Sequence, residues 1–430
     1  MPADVVASVE PRGSTDAMDD VRLRRFPYPY KAMMAICSDL DETPDREVYG
    51  QIAGFLNTTT MTRMGQGVGL EVGNTIYFDM PQDQFSYWGT DEAGREMVRA
   101  MIHSGHIDCL HSYGDLATGR DDARRNIEEL KRFDCKIEVW VDHSKAPSNF
   151  GPDIMVGSGD VADSRVYHAD LTLDYGVRYV WRGRSTSMIG QDAPIDTSVF
   201  ARMLNFRHPM SSSRAAAKEA MKVVLGRRGH ARWEMYGANA VCRPSTLRDG
   251  RSIWEFFRSN PHWGGPGEGA TADGIAEVLT ASMLRALVDR EGVCVLYTHL
   301  GKVSNPHEIF CEPTRAAFRR LAEEHHGGRI MVTTTRRLLR YLTVRAGLRY
   351  SASRVGDAIE IALESVDDPV SGARVPSPED VEGMTFEAPR GSAVRIVLKG
   401  HGPVDSATVR RGDAGFVTIP WRRLTLPSFS

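Results

Sequence analysis

Four apolar or strand-like runs, each stopping abruptly at polar residues, limit what this 430-residue chain can fold into. They are KAMMAICS before Asp39, KIEVWV before Asp142 and His143, VRYVW (Val177 to Trp181) and GVCVLYTH (Gly292 to His299). The first reads as a strand buried on both faces, the mark of a parallel sheet. Parallel strands require crossover connections, and segments of helical spacing supply them: about Asp45 to Leu56, Asp91 to Ser104, Asp121 to Phe133 and Ile275 to Arg290. The alternation predicts a parallel α/β architecture, in which loops at the carboxyl ends of the strands carry the chemistry.

From about Ala346 the helical period disappears. AIEIALESV and AVRIVLK alternate apolar and polar residues, which predicts a small antiparallel, β-sandwich-like domain over 346–430, with residues 1–30 as an N-terminal arm. A length beyond one typical domain agrees with that division. With 41% hydrophobic and 25% charged residues the chain can build a large core. A net charge of -3 excludes the basic field that nucleic-acid binders use, so no nucleic-acid partner is expected. The six cysteines are scattered without a CxxC pair, and most read as buried thiols in a reducing compartment. No signal-like segment or long apolar run is visible, so the expected address is cytoplasmic, with no membrane partner. Nothing in the sequence sets the oligomeric state.

Asp39, Asp41, His111, His143, Arg182 and His299 all fall at or just past candidate strand ends. Asp39 and Asp41 flank Leu40; in extended backbone both carboxylates point the same way, so one can bind a cation while the other takes a proton. The competing reading is a pair of loop acids at the start of the next helix. In GHIDCLHSYGD (105–115), His111 and Asp115 lie four apart around a turn with Gly114, a spacing that lets a nitrogen and an oxygen converge on one cation. Trp181, Arg182 and Arg184 offer a sugar-stacking face and an anion clamp, and Trp263 a second platform. The Gly/Pro/Ser-rich stretches 146–164 and 260–274 have the length of substrate loops or lids.

These stretches together resemble the polysaccharide deacetylases, a family of metal-dependent carbohydrate esterases. GHIDCLHS resembles the family's Gly-His-Glu-Ile followed by a His-Thr/Ser turn, SDLDET its first motif of strand-end acids, and VLYTHLG its last, in family order. The resemblance implies a distorted seven- or eight-stranded (β/α) barrel of TIM-like kind over about 31–345, and a divalent metal, Zn²⁺ or else Mn²⁺, Co²⁺ or Mg²⁺. It implies Asp39 as general base, Asp41 and His111 as ligands, His299 as general acid and Ser112 as a brace. The chain departs from the family in three places. Leu40 separates the acids, leaving open which of them is the base. Asp115 stands at the second metal His, so Asp115 or His143 is the third ligand. The Arg-x-Pro-aromatic motif is replaced by WVDHSKAPSNF, with His143 and Asn149 as candidate substrate contacts. The implied activity is hydrolysis of an acyl group, N-acetyl above all, from a carbohydrate or glycoconjugate. The alternatives are a glycoside hydrolase on a related barrel and a non-catalytic carbohydrate-binding relative.

Overall fold

The computed structural model describes residues 21–144, 146–303, 305, 308–389, 393–411 and 414–428. The chain divides into two compact units, one of residues 32–336 with 424–430, the other of residues 1–31 with 337–423.

The larger unit is mixed α/β, built on a curled 11-stranded sheet. Its main strands are β1 (Ala32–Ser38), β2 (Gly73–Ile76), β3 (Ile107–His111), β4 (Val139–Val141), β5 (Tyr179–Trp181), β6 (Ser252–Phe256), β7 (Val293–Thr298) and β8 (Ile330–Thr333). All seven residues of β1 are buried, as expected of a strand covered on both faces. It pairs in parallel with β7 along its whole length, from Val293 opposite Met33 to Thr298 opposite Ser38. On its other side β1 pairs with β8 along its first half and with β2 at Cys37 and Ser38. From β2 the sheet runs through β3, β4 and β5 to β6, every pair parallel. Beyond Phe257 the chain extends β6 into Arg258 and Ser259, and Ser259 pairs with Leu296 of β7. One edge carries an antiparallel strand, Cys242–Thr246, on β6.

The crossover helices start where the sequence places acids. Asp45 accepts from the Val48 N–H at 2.9 Å and Asp91 from that of Gly94 at 2.9 Å, capping helices Arg46–Asn57 and Glu92–His103. The helix expected over 275–290 is two pieces, Ile275–Val278 and Ala281–Asp289. Thr280 accepts from the Met283 N–H at 3.2 Å, which starts a new helix instead of continuing the first. Apolar side chains fill both faces of the sheet: Met34, Ile36, Leu296, Phe310 and Phe318 on one, Ile76, Phe78, Leu110, Trp140 and Phe150 on the other.

In the smaller unit Leu348–Val355 and Ala358–Asp368 form an antiparallel hairpin. The expectation of a purely antiparallel domain needs correction, because Ala358–Asp368 pairs in parallel with Ala393–Leu398. Between these strands the chain passes through Thr385–Ala388 of a second sheet, and that excursion lets it return in the same direction. The second sheet is antiparallel and includes Arg22–Leu23, so residues 22 and 23, expected in an arm, are part of this unit's fold. The division at 336/337 also lies before the expected one at 345/346.

Candidate metal centre

The site is assembled at the carboxyl ends of β1, β2, β3, β4 and β7. Asp39 follows β1 directly, and its N–H donates to the Thr298 carbonyl at 2.9 Å. Leu40 is buried in the core, and Asp39 and Asp41, on either side of it, turn to the opposite side together. His111, the last residue of β3, places Nε2 3.2 Å from Asp39 Oδ2 and 3.8 Å from Asp41 Oδ2. His299, just past β7, places Nε2 3.2 Å from Asp41 Oδ2 and 4.0 Å from Asp39 Oδ2. Tyr77, just past β2, donates its hydroxyl to Asp41 Oδ1 at 2.6 Å and stacks on His111 with centroids 4.5 Å apart.

Asp39, Asp41 and His111 each present a ligand atom, all within 4.8 Å of one another, and together can hold a metal ion. Their hydrogen bonding is incomplete in the way a cation would complete. Asp39 Oδ1 and Asp41 Oδ2 are buried without a hydrogen-bond partner among the described residues. Asp41 Oδ2 has His299 close by, but not in hydrogen-bonding geometry.

The 111–115 turn is held in unusual backbone. Ser112, Tyr113 and Gly114 have φ of 54°, 71° and 101°, three successive left-handed residues of which two carry side chains. Such strain persists only where the surroundings impose it. Here the Tyr113 carbonyl accepts from the N–H groups of Phe78 and Asp79, and its hydroxyl meets Thr172 Oγ1 at 2.9 Å. A Cβ on Gly114 would lie 2.1 Å from the Asp79 carbonyl oxygen, so no other residue fits. The Ser112 carbonyl accepts from Ser148 Oγ at 3.2 Å.

The turn carries Asp115 outward. Its carboxylate is partly exposed and lies 2.8 Å from His143 Nδ1, while His143 Nε2 lies 2.9 Å from Asp41 Oδ1. Of the two candidates for a third ligand, His143 therefore faces the acids and Asp115 stands behind it. Asn149 is fully buried and clamps the His143 backbone, accepting from its N–H at 3.0 Å and donating to its carbonyl at 3.2 Å.

The expected carbohydrate contacts lie elsewhere. Trp181 is buried and covers a guanidinium, that of Arg258, 4.4 Å from the ring centroid. Arg182 and Arg184 are buried ion-pair partners of Glu255, at 2.8 Å and 2.9 Å. Trp263 stacks on His208 at 3.7 Å and donates Nε1 to Glu277 at 3.0 Å. None of these four lines the cleft of about 480 Å³ bounded by Asp41, Glu42, Gln84, Asp115, His143, Ser144, Ala146 and Pro147.

Two site residues were missed in the sequence, Tyr77 and Arg258. Arg258 is fully buried between Trp181 and Tyr297 and donates Nη2 to Asp39 Oδ2 at 2.7 Å. The signal was the run SIWEFF ending at Arg258, the same apolar stop used for the other strands.

Burial opposes ionisation of Asp39, but Arg258, His111 and His299 outweigh it and hold the carboxyl down at about 2. Burial also opposes ionisation of Asp41, and there His143 and His299 prevail, keeping it far below the usual carboxylate range. His111 goes the other way: burial outweighs Asp39 and favours the neutral imidazole. For His143 and His299 the carboxylates overcome burial and raise the pKa. His299 Nδ1 meets the Ala270 carbonyl at 2.7 Å, which fixes that nitrogen as a donor and turns Nε2 to the acids.

No family model matches the chain, and no curated protein matches it. Two solved structures align over most of the chain. A lysine decarboxylase from Selenomonas ruminantium shows 10% identity and a TM-score of 0.25, over 92% of this chain and 87% of its own. The catalytic domain of the GH30 xylanase C from Talaromyces cellulolyticus shows 10% identity and a TM-score of 0.30, over 92% of this chain and 96% of its own. At those scores neither likeness bears on fold or function.

Proposed function

We propose that this chain is a metal-dependent hydrolase that removes an acyl group, N-acetyl above all, from a sugar or glycoconjugate, as the polysaccharide deacetylases it resembles do. One observation carries the reading: two strand-end acids and His111 offer ligand atoms within 4.8 Å of one another, with His299 Nε2 3.2 Å from the second acid. The pairing of Ser259 with Leu296 supports a distorted barrel, β6 bridging from β5 to β7, with β8 as an eighth strand beside β1.

Asp41 and His111 would hold the cation, with His143 Nε2 as a further donor. Carboxylate and imidazole donors suit Zn²⁺, Mn²⁺ or Co²⁺ better than Mg²⁺. A divalent cation bound there supplies Lewis acidity toward an acyl carbonyl and makes a water more acidic. Asp39, held ionised by Arg258, takes the proton of the attacking water. His299, whose protonated form the two acids favour, gives its proton to the departing amine or alkoxide, with the Ala270 carbonyl fixing its orientation. Tyr77 and Asp115 position Asp41 and His143 from behind. Glycosidic cleavage instead requires one carboxyl held protonated beside an ionised one. Both acids of this site are held ionised, which favours acyl hydrolysis.

The test is acetate release from a panel of N- and O-acetylated sugars by the metal-loaded protein and by Asp39→Asn. Acetate release that falls at least about 10²-fold in the variant supports the assignment. Reducing-sugar release without acetate, or full activity in Asp39→Asn, overturns it.

A further inference from the structure

Between β5 and β6 the chain makes a 70-residue excursion that the site does not use. Its longest element is the helix Pro209–Arg227. Ala215, Ala216 and Val223 pack inward against Met188, Val199 and Met203. The opposite face has no such cover. Of the ten large apolar residues exposed in the described chain, five fall within 21 residues here: Leu204, Phe206, Met210, Met221 and Val224. Phe206 is 96% and Met210 81% exposed, ahead of Met61 at 72% among the described large apolar residues.

Cations share that surface. Arg207, Arg214, Lys218, Arg227 and Arg228 are all exposed, and none has a carboxylate partner among the described residues. Glu219, the one acid from 197 to 233, is buried and paired with Lys222. A chain with net charge -3 thus gathers a basic, apolar strip on one helix. Met210, Arg214, Ala217, Lys218 and Met221 follow one another at intervals that keep them on one face of a helix.

We propose that Phe206 and the outer face of Pro209–Arg227 form a docking surface for an anionic lipid bilayer, lying in the plane of its headgroups. Exposed Phe206 and methionines interleaved with unpaired lysine and arginine fit such an interface, where the hydrocarbon takes the apolar groups and the phosphates take the cations. Charge complementarity decides for the membrane over a second copy of the chain, because two copies would bring unpaired cations together. Surface attachment requires no spanning segment, and none of the described helices is long and apolar enough to cross a membrane. The strip also touches the candidate site's surroundings. His208, which precedes the helix, stacks on Trp263, in the same 260–274 stretch whose Ala270 carbonyl orients His299.

The test is sedimentation of the full chain with phosphatidylcholine vesicles and with vesicles containing about one third anionic phosphatidylglycerol. The expected result is partition onto the anionic vesicles alone, lost on raising the salt. Arg214→Gln/Lys218→Gln should weaken it about 30-fold and Phe206→Ser/Met210→Ser about 10-fold, with melting temperatures unchanged. Absence of binding at low salt, or equal binding to both vesicle types, overturns the proposal. So does an oligomer that the same substitutions disperse, with no vesicle binding, since that assigns the strip to self-association.

Discussion

Arg258 Nη2 lies 2.7 Å from Asp39 Oδ2, and the pair is closed off from solvent, Arg258 being 0% and Asp39 2% exposed. A buried ion pair tolerates joint replacement far better than loss of one member. Arg258→Gln should therefore lower unfolding stability by about 3–5 kcal/mol, measured by chemical denaturation. Asp39→Leu/Arg258→Met should cost less than either single change. A double variant whose loss equals the sum of the two single losses would show that the pair is not coupled.

Loss of Asp115 should act through His143. Its carboxylate meets Nδ1 of an imidazole whose Nε2 faces Asp41. Groups that orient a ligand from behind typically contribute 10–100-fold to metal affinity. Asp115→Asn should weaken metal binding by about that factor, read by competition with a chelating dye, while leaving stability of the metal-free protein within about 0.5 kcal/mol. Complete loss of binding would make Asp115 itself a ligand.

Gly114→Ala should disrupt the turn that carries His111. The new Cβ would sit 2.1 Å from the Asp79 carbonyl oxygen at a φ of 101°. Steric overlap and left-handed strain together predict a loss of more than about 2 kcal/mol and a fall in metal affinity. A melting temperature equal to that of the parent would show that the turn relaxes freely.

His168 sets a pH dependence separate from the site. It is buried, with Nδ1 2.8 Å from Thr172 Oγ1 and Nε2 2.8 Å from the Ser148 carbonyl, and burial pushes its pKa down to about 4 from 6.5. Between those values the unfolded chain holds a proton that the folded chain does not, so stability falls as pH drops from about 6.5 to about 4. The full difference is on the order of 3 kcal/mol. Urea midpoints measured across that range should flatten in His168→Gln; an unchanged slope would assign the dependence to other groups.

The sequence made some of this legible and hid the rest for physical reasons. β1 and β7 could be read because strands covered on both faces are continuous apolar runs, and their stops marked Asp39 and His299. β2 could not, since Gly73–Ile76 is only four residues, two of them polar. Trp181 and the arginines after it suggested a substrate face because composition does not report burial. Each finds its partner on β6, or just past it, more than 70 residues away. The parallel pair in the smaller unit was hidden likewise, because alternation gives a strand's faces and not its direction.

The central claim is that Asp41 and His111 share one divalent cation. Elemental analysis of the purified chain, beside Asp41→Asn and His111→Ala, tests it most directly. The account predicts about one equivalent of Zn²⁺, Mn²⁺ or Co²⁺ in the parent, absent from both variants, and a higher melting temperature when the ion is restored to the stripped parent. A parent that carries no metal and gains no thermal stability from any of these ions would contradict it.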